Sequence, residues 1–436
     1  MPPPPGEAPR VVERLFRDEW GKMVATLTRI FGIEHLTLAE DVVQEALARA
    51  LQTWPFYGIP ENPSAWIMRV SRNLALDHAR RASLFRHKEA EITAFLEHPE
   101  TTEPVFTEAE IQDDRLRMIF ACCHPQVPQD AQVALALKTL CGFSTIEIAN
   151  AFLSSEAAVA KRLTRAKQRI REARIPFEIP AGAELTARLE SVLQTLYLLF
   201  NEGYKASGGE RLVREELCHE AIRLATLVVK HPACEQPAVH ALLALMLLNA
   251  ARLPARTDPE GNLRLLEEQD RTRWDHEMIA RGMRHLAESA SGTEAGAYHL
   301  QAGIAACHCT ARDYASTDWP LILSLYDQLL EIEASPVIAL NRAVALANVH
   351  GAQAGLDAAQ ALRAEGGLES YYLLHVVLGE LEMRLGRSDA AAGHFRRALE
   401  RTEATAEREF LAKRLRACES DVSAAARVSA RLPGAP

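Results

Sequence analysis

Lys161, Arg162, Arg165, Lys167, Arg169, Arg171 and Arg174 stand within fourteen residues of one another, and Glu172 is the lone acid among them. Side chains of these types make and break no bonds unaided; what they do is attract phosphate. That attraction is screened beyond about 8 Å at physiological salt, so the local cluster matters more than the chain's net charge of −9. A helix must hold them. Val159, Leu163, Ala166 and Ile170 recur at i, i+4, i+7 and i+11, which predicts one buried stripe with cations on the remaining faces. Ser155 is a suitable N-cap for that helix. Ahead of it, Ser144 with Glu147 three residues on forms a capping box. A shorter helix should therefore begin at Thr145, with Ile146, Ala149 and Phe152 or Leu153 turned inward. Two helices joined by a polar turn, the second one basic, are the layout of a helix-turn-helix whose second helix enters the DNA major groove. In that layout Glu156, Ala157, Ala160, Lys161 and Thr164 face base edges. Arg162, Arg165 and Lys167 grip phosphates and set register.

Two helices nearer the N-terminus carry further polar faces. Residues 38–54 should bury Val42, Ala46, Ala50 and Leu51 and display Glu40, Asp41, Gln44, Glu45 and Arg49, a face suited to a protein partner. Asn62 and Pro63 then cap and start a helix whose Trp66, Val70 and Leu74 face inward. Its outer side offers Arg69, Arg72, Asn73, Asp77, Arg80 and Arg81, with Arg86 and Lys88 following, and suits nucleic acid. Between the two helices lies the loop 57–62, which begins with Tyr57.

The elements that position these residues are helices throughout, and the fold class expected is all-α. Leu, Ala, Glu and Arg dominate, aromatics are 6%, and strand-type alternation is absent. A chain of 436 residues makes two or three domains. Breaks rich in Pro, Thr and acids divide it into a helical domain over 11–90, a linker over 91–112, a helix-turn-helix domain over 113–175 and a large helical domain over 184–420. Residues 421–436 should fray. The N-terminal ten residues lack the apolar stretch of a signal peptide. The most apolar run, 238–253, contains His240, Asn249 and Arg252 and is too short to span a membrane, so a cytoplasmic protein without a membrane partner is expected. Eight irregularly spaced cysteines argue for a reducing compartment. Cys122-Cys123-His124 and Cys307-His308-Cys309 crowd their ligand atoms too closely for one tetrahedral zinc. No Ser-His-Asp set, phosphate loop or H-E-x-x-H motif occurs. Neither a metal site, a cofactor nor an enzymatic activity is expected.

In this order the pieces resemble a bacterial sigma-70 family factor of the extracytoplasmic-function (ECF) type. Ala39-Glu40-Asp41-Val42-Val43-Gln44-Glu45 through Trp54 is similar to region 2.1–2.2, Pro63 through Lys88 to regions 2.3–2.4, and Phe143 through Arg171 to region 4. The marks of region 4 are Gly142-Phe143-Ser144, Glu147-Ile148-Ala149 and Arg165-Ala166; Ala157 and Ala158 depart from it where a Thr is common. The resemblance implies that Glu40, Asp41, Gln44, Glu45 and Arg49 dock on the β′ clamp of core RNA polymerase. It implies that Tyr57, Arg69, Arg72, Asn73, Arg80 and Arg81 meet the −10 element of promoter DNA and the helix-turn-helix meets the −35 element. Promoter elements around 16 base pairs apart, at about 3.4 Å per pair, place the two readers on the order of 55 Å apart. The linker can reach about 80 Å when extended.

Compact factors of this family end near residue 175, so the remaining part implies a regulatory or assembly function, with a regulatory protein or ligand bound at the extension. Residues 372–403 resemble a tetratricopeptide (TPR) repeat, with Leu378-Gly379, Ala391, Phe395 and Ala398 at the packing positions. A looser copy lies in 335–364, turning near His350-Gly351. Asn201, Glu202, Tyr204, Gln269, Asp270, Arg271, Trp274, Asp318, Trp319, Asn341 and Arg342 either line a shared ligand site or cap helices and pair across a solenoid interior. The competing reading of the whole chain is a free-standing helix-turn-helix regulator with a ligand- or peptide-sensing helical domain.

Overall fold

Helices hold almost all of the described residues, and no strand occurs among them. The computed structural model describes residues 7–81, 108–151, 154–204, 215–258, 264–291, 295–365, 368, 371–402 and 405–429. Two units form: Met1–Leu199 with Lys230–Cys234, and Phe200–Val229 with Glu235–Pro436.

The first unit begins with α1 (Glu7–Phe31), α2 (Leu36–Tyr57) and α3 (Pro63–Arg81). Gly32 turns between α1 and α2 at φ 93°, a conformation open to glycine because it lacks a Cβ. The α1 helix packs against α2 and α3, and also against α4 (Glu108–Cys122) and α5 (Gln129–Cys141). The start of α4 at Glu108 lies within the stretch read as linker. Then come α6 (Thr145–Ala151), α7 (Glu156–Glu172) and α8 (Gly182–Tyr204).

The second unit holds α9 (Glu215–Lys230), α10 (Pro237–Ala250), the short α11 (Leu253–Arg256), α12 (His276–Ser289), α13 (Ala297–Thr310) and α14 (Trp319–Ile332). It continues through α15 (Pro336–His350), α16 (Ala352–Glu365), α17 (Tyr372–Arg384), α18 (Ser388–Leu399) and α19 (Thr405–Ser429). The last helix runs on through 421–429, where fraying was expected. From α13 onward each helix packs against the next, the nearest-neighbour order of a solenoid. Both TPR-like segments are helical hairpins. Gly351 (φ 92°) and Gly386 (φ 72°) make their turns. Gly379 lets α17 and α18 close: a Cβ there would lie 2.8 Å from Phe395 Cε1. Among the described residues no helix is long and apolar enough to cross a membrane.

Candidate nucleic-acid interface

The helix-turn-helix forms with its caps in place. Ser144 N–H donates to Glu147 Oε2 at 2.7 Å and Glu147 N–H to Ser144 Oγ at 3.1 Å, so α6 starts at Thr145 as its sequence predicts. Ser155 Oγ accepts from Ala158 N–H at 3.2 Å and starts α7. On α7, Val159, Leu163, Ala166 and Ile170 are the buried residues, the same stripe the periodicity gives. Burying a Val, Leu or Ile of this kind stabilises by about 1.5–3 kcal/mol each, which fixes the rotation of the helix. The α6 register differs from expectation: Ile146 is 55% exposed and Ile148 and Ala149 are inside. Phe152 and Leu153 lie outside the described residues.

Rotation then sets the outer face of α7. Glu156, Ala157, Ala160, Lys161, Thr164 and Arg165 are exposed. Two of them are engaged locally: Glu156 accepts from Thr145 Oγ1 at 2.9 Å and Thr164 donates to the Ala160 carbonyl at 2.8 Å. Arg162 is half-buried and pairs with Asp130 at 3.0 Å. A groove of about 600 Å³ runs beside the helix, lined by Lys161, Arg162, Arg165 and Arg169 with Asp130 and Glu172 at its acidic edges.

Lys167 is the exception. Its ammonium pairs with Glu40 of α2, and the two side chains are 18% and 6% exposed. Both residues were expected on open faces; the structure corrects both. Glu40 is buried because α7 covers it, and burial raises its carboxyl pKa, opposed by Lys167. Further contacts close the same seam: Arg29 on α1 pairs with Asp114 at 3.0 Å, and Trp20 Nε1 donates to the Lys138 carbonyl at 3.1 Å. The helix-turn-helix thus lies against α1 and α2, not on the order of 55 Å away as two spaced DNA elements require.

The rest of the α2 face is open. Asp41, Gln44, Glu45 and Arg49 are exposed, with Arg49 paired to Glu45 at 2.6 Å one turn away. Leu51 is 45% exposed, contrary to expectation, and Val43 and Leu47 take the inward positions. Gly58 (φ 91°) ends α2, and Tyr57 beside it is 89% exposed. Phe56, which the sequence reading passed over, is 77% exposed; two adjacent solvent-facing aromatics at a helix end are the signal that could have found it. Beneath them Trp54 and Trp66 pack edge to face, centroids 5.4 Å apart. Asn62 caps α3 by accepting from Ala65 N–H at 3.0 Å. Its inward face is Ile67, Ser71, Leu74 and Ala75, with Trp66 and Val70 half-buried at its border. Arg69 and Asn73 are exposed and Arg72 is half-buried. The side chains of Arg80 and Arg81, and all of Arg86 and Lys88, lie outside the described residues.

Several of the polar candidates in the second unit act as caps or in pairs. Asp270 and Asp318 cap their helices, accepting from Thr272 and Leu321 N–H at 3.0 Å each. Arg271 donates to the His308 and Ala311 carbonyls and stacks 4.6 Å from the Trp274 ring. Arg342 pairs with Asp327, and Arg256 lies 3.9 Å over the Tyr204 ring. Burial pushes the Cys123 thiol up to about 12, the Cys309 thiol up to about 11 and the His308 imidazole down to about 3. These groups pack as neutral side chains.

Comparison with known proteins adds to this geometry. Residues 17–85 match sigma-70 region 2, residues 117–170 match sigma-70 region 4, and residues 188–290 match a family of unknown function, DUF6596. An uncharacterized protein of Rhizobium meliloti (strain 1021) is 40% identical over 381 residues, covering 86% of this chain and 88% of its own length. A probable ECF RNA polymerase sigma factor, SigI, of Mycobacterium tuberculosis is 27% identical over 225 residues, which are 47% of this chain and 76% of that protein. No solved structure matches. With both DNA-reading regions matched in order and a long helical part after them, the chain belongs to the RNA polymerase sigma-70 family, ECF type, and carries a helical extension beyond region 4.

Proposed function

We propose that the chain binds core RNA polymerase through the open face of α2 and directs it to promoters, with the extension regulating that step. The observation that carries the reading is the outer face of α7, where exposed Ala157, Ala160, Lys161 and Arg165 stand over a properly capped helix. Small residues near its N-terminus let the helix approach base edges closely. Lys161 and Arg165 supply major-groove or phosphate contacts, and Arg162 and Lys167 join them once released from Asp130 and Glu40. Asp41, Gln44, Glu45 and Arg49 engage the β′ clamp. Arg69, Arg72, Asn73, Arg80 and Arg81 hold the −10 region, while Tyr57 stacks on an unpaired base. All of this positions and melts DNA; the bond-making chemistry belongs to the polymerase.

Releasing Lys167 requires regions 2 and 4 to separate, so the closed packing is a resting form and polymerase binding opens it. Glu40 then becomes available with the rest of the α2 face. The extension acts from α8, whose first half is fastened to region 4 by Arg188, Ser191 and Thr195.

Pull-down of core polymerase followed by run-off transcription tests the reading. Asp41→Ala with Gln44→Ala is expected to weaken polymerase binding while the fold survives. Lys161→Ala with Arg165→Ala is expected to keep polymerase binding and lose −35-dependent transcription. Unchanged polymerase affinity in the first pair, or equal activity with and without a −35 element in wild type, overturns the assignment.

A further inference from the structure

Three side chains in the second unit turn their donor atoms to one point. His240 lies on α10, and His285 and Glu288 lie one turn apart on α12. The two Nδ1 atoms are 3.1 Å apart, and each is 2.9 Å from Glu288 Oε2. Hydrogen bonds alone fill this triangle poorly. A neutral imidazole brings one ring proton. If both protons sit on Nδ1 and point at Oε2, the nitrogens are two donors pressed together; if one lies between the nitrogens, the other nitrogen is a bare acceptor and neither N···O contact holds a proton. A cation accepts all three lone pairs at once.

The dimensions fit such an ion. Ligand atoms of a tetrahedral zinc site are about 3.3 Å apart, and a point about 2.0–2.1 Å from each of three atoms, the usual Zn–N and Zn–O distance, exists above a triangle of this size. The position is graded from inside to outside: the side chains of His240, His285 and Glu288 are 12%, 22% and 53% exposed. The imidazoles are thus held by packing, and the carboxylate side is open to an entering ion and to water as a fourth ligand. His240 is also the one ionisable residue of α10, whose other side chains are almost wholly apolar and buried. The chain provides a contrast. His375 and His394 also face each other, Nδ1 atoms 3.2 Å apart, but no carboxylate joins the pair among the described residues. Arg363 and Arg397 act on both rings, so a cation is disfavoured there.

We infer that His240, His285 and Glu288 bind one divalent transition-metal ion of the zinc class, which clips α10 to α12 inside the extension. Imidazole and carboxylate donors with an open position suit such an ion. The sequence offers no spacing motif for it, since the histidines are 45 residues apart and only the packing of two helices unites them.

The test uses the full-length protein, stripped with a chelator and titrated with Zn²⁺ by calorimetry and with Co²⁺ by visible absorption. Wild type is expected to take one ion per chain, to develop the ligand-field bands of four- or five-coordinate Co²⁺, and to unfold at higher temperature with Zn²⁺ than without. Glu288→Gln, at an exposed position, is expected to keep its circular dichroism, lose on the order of 100-fold in affinity and lose the thermal shift; His240→Gln should do the same. His375→Gln should bind as wild type does. Absence of stoichiometric binding to wild type, undiminished affinity in Glu288→Gln, or loss of binding in His375→Gln each overturns the proposal.

Discussion

Region 4 is held on two sides, and the two seams are built from different chemistry. Toward region 2 the partners are Glu40 with Lys167 and Asp114 with Arg29, and Asp114 also pairs with Arg117 one turn on along α4. Burial raises the pKa of both carboxyls, and the neighbouring cations oppose this only in part. Glu40 Oε1 is buried and finds no hydrogen-bond partner among the described residues. Desolvation there is incompletely offset, the condition in which a buried ion pair adds little stability. Toward α8, Gln132 is saturated: Nε2 donates to the Val127 and His124 carbonyls, and Oε1 accepts from Ser191 and Thr195. Arg188 donates to the Phe120 carbonyl at 2.8 Å, lies 5.7 Å from that ring and pairs with Glu184, which is 61% exposed. Burial lowers the pKa of Arg188 too, but no carboxylate is trapped with it. Opening the first seam returns two costly carboxylates to water; opening the second exchanges the four hydrogen bonds of Gln132 for bonds to water, although Arg188 Nε is also without a partner there. On the proposed reading, region 4 should part from region 2 more readily than from the first half of α8.

The largest effect tests the permanent seam. Arg188→Ala removes a buried donor and the stem that fills the space beside Phe120. It should lower the stability of the first unit by about 3 kcal/mol, read as an earlier urea transition in the full-length protein. A loss below about 1 kcal/mol would show that α8 is only loosely attached.

The releasable seam should respond to pH. A carboxyl whose pKa is higher in the packed form than the ordinary 4.5 of Glu or 3.8 of Asp holds its proton more tightly there. Closure is then favoured at acid pH and weakens as pH rises from those ordinary values through the raised ones. Fluorophores at the exposed positions Gln52 and Arg171 should report greater separation across that window. Glu40→Gln should flatten its share of the response. A pH-independent distance in the wild type would mean that the ion pairs do not govern opening.

What could be read from sequence follows the range of the physics involved. The stripe Val159, Leu163, Ala166 and Ile170 and the caps at Ser144, Ser155 and Asn62 depend on neighbours within a few residues, and the structure has them all. Short helices and helix ends carry too few residues to fix a rotation, hence the exposed Ile146 and Leu51 and the border position of Trp66. Glu40 looked like its exposed neighbours because its partner stands 127 residues away. The two seams share that origin: Gln132 and Arg188 meet nothing near them in sequence that predicts their pairing. The TPR-like hairpins were legible through Gly379 and Phe395, whose contact is a helix-packing requirement. The polar residues of the extension were readable only as two alternatives, and caps and pairs took most of them.

The smallest effect sharpens the contrast most. Ser191→Ala removes the nearer hydroxyl on Gln132 Oε1 and leaves that of Thr195 at 3.3 Å, whose one proton is shared with the Ser191 carbonyl at 2.9 Å. Because the Thr195 proton can turn fully to the acceptor, the cost should be only about 0.5–1 kcal/mol. Thr195→Val alone should behave alike, since Ser191 at 2.8 Å still donates. Together they orphan a buried acceptor, and the double variant should lose about 1–3 kcal/mol beyond the sum of the singles. That excess belongs to a dry, saturated network. If the two losses simply add, water enters to replace the hydroxyls, and the α8 seam is as releasable as the one it is contrasted with.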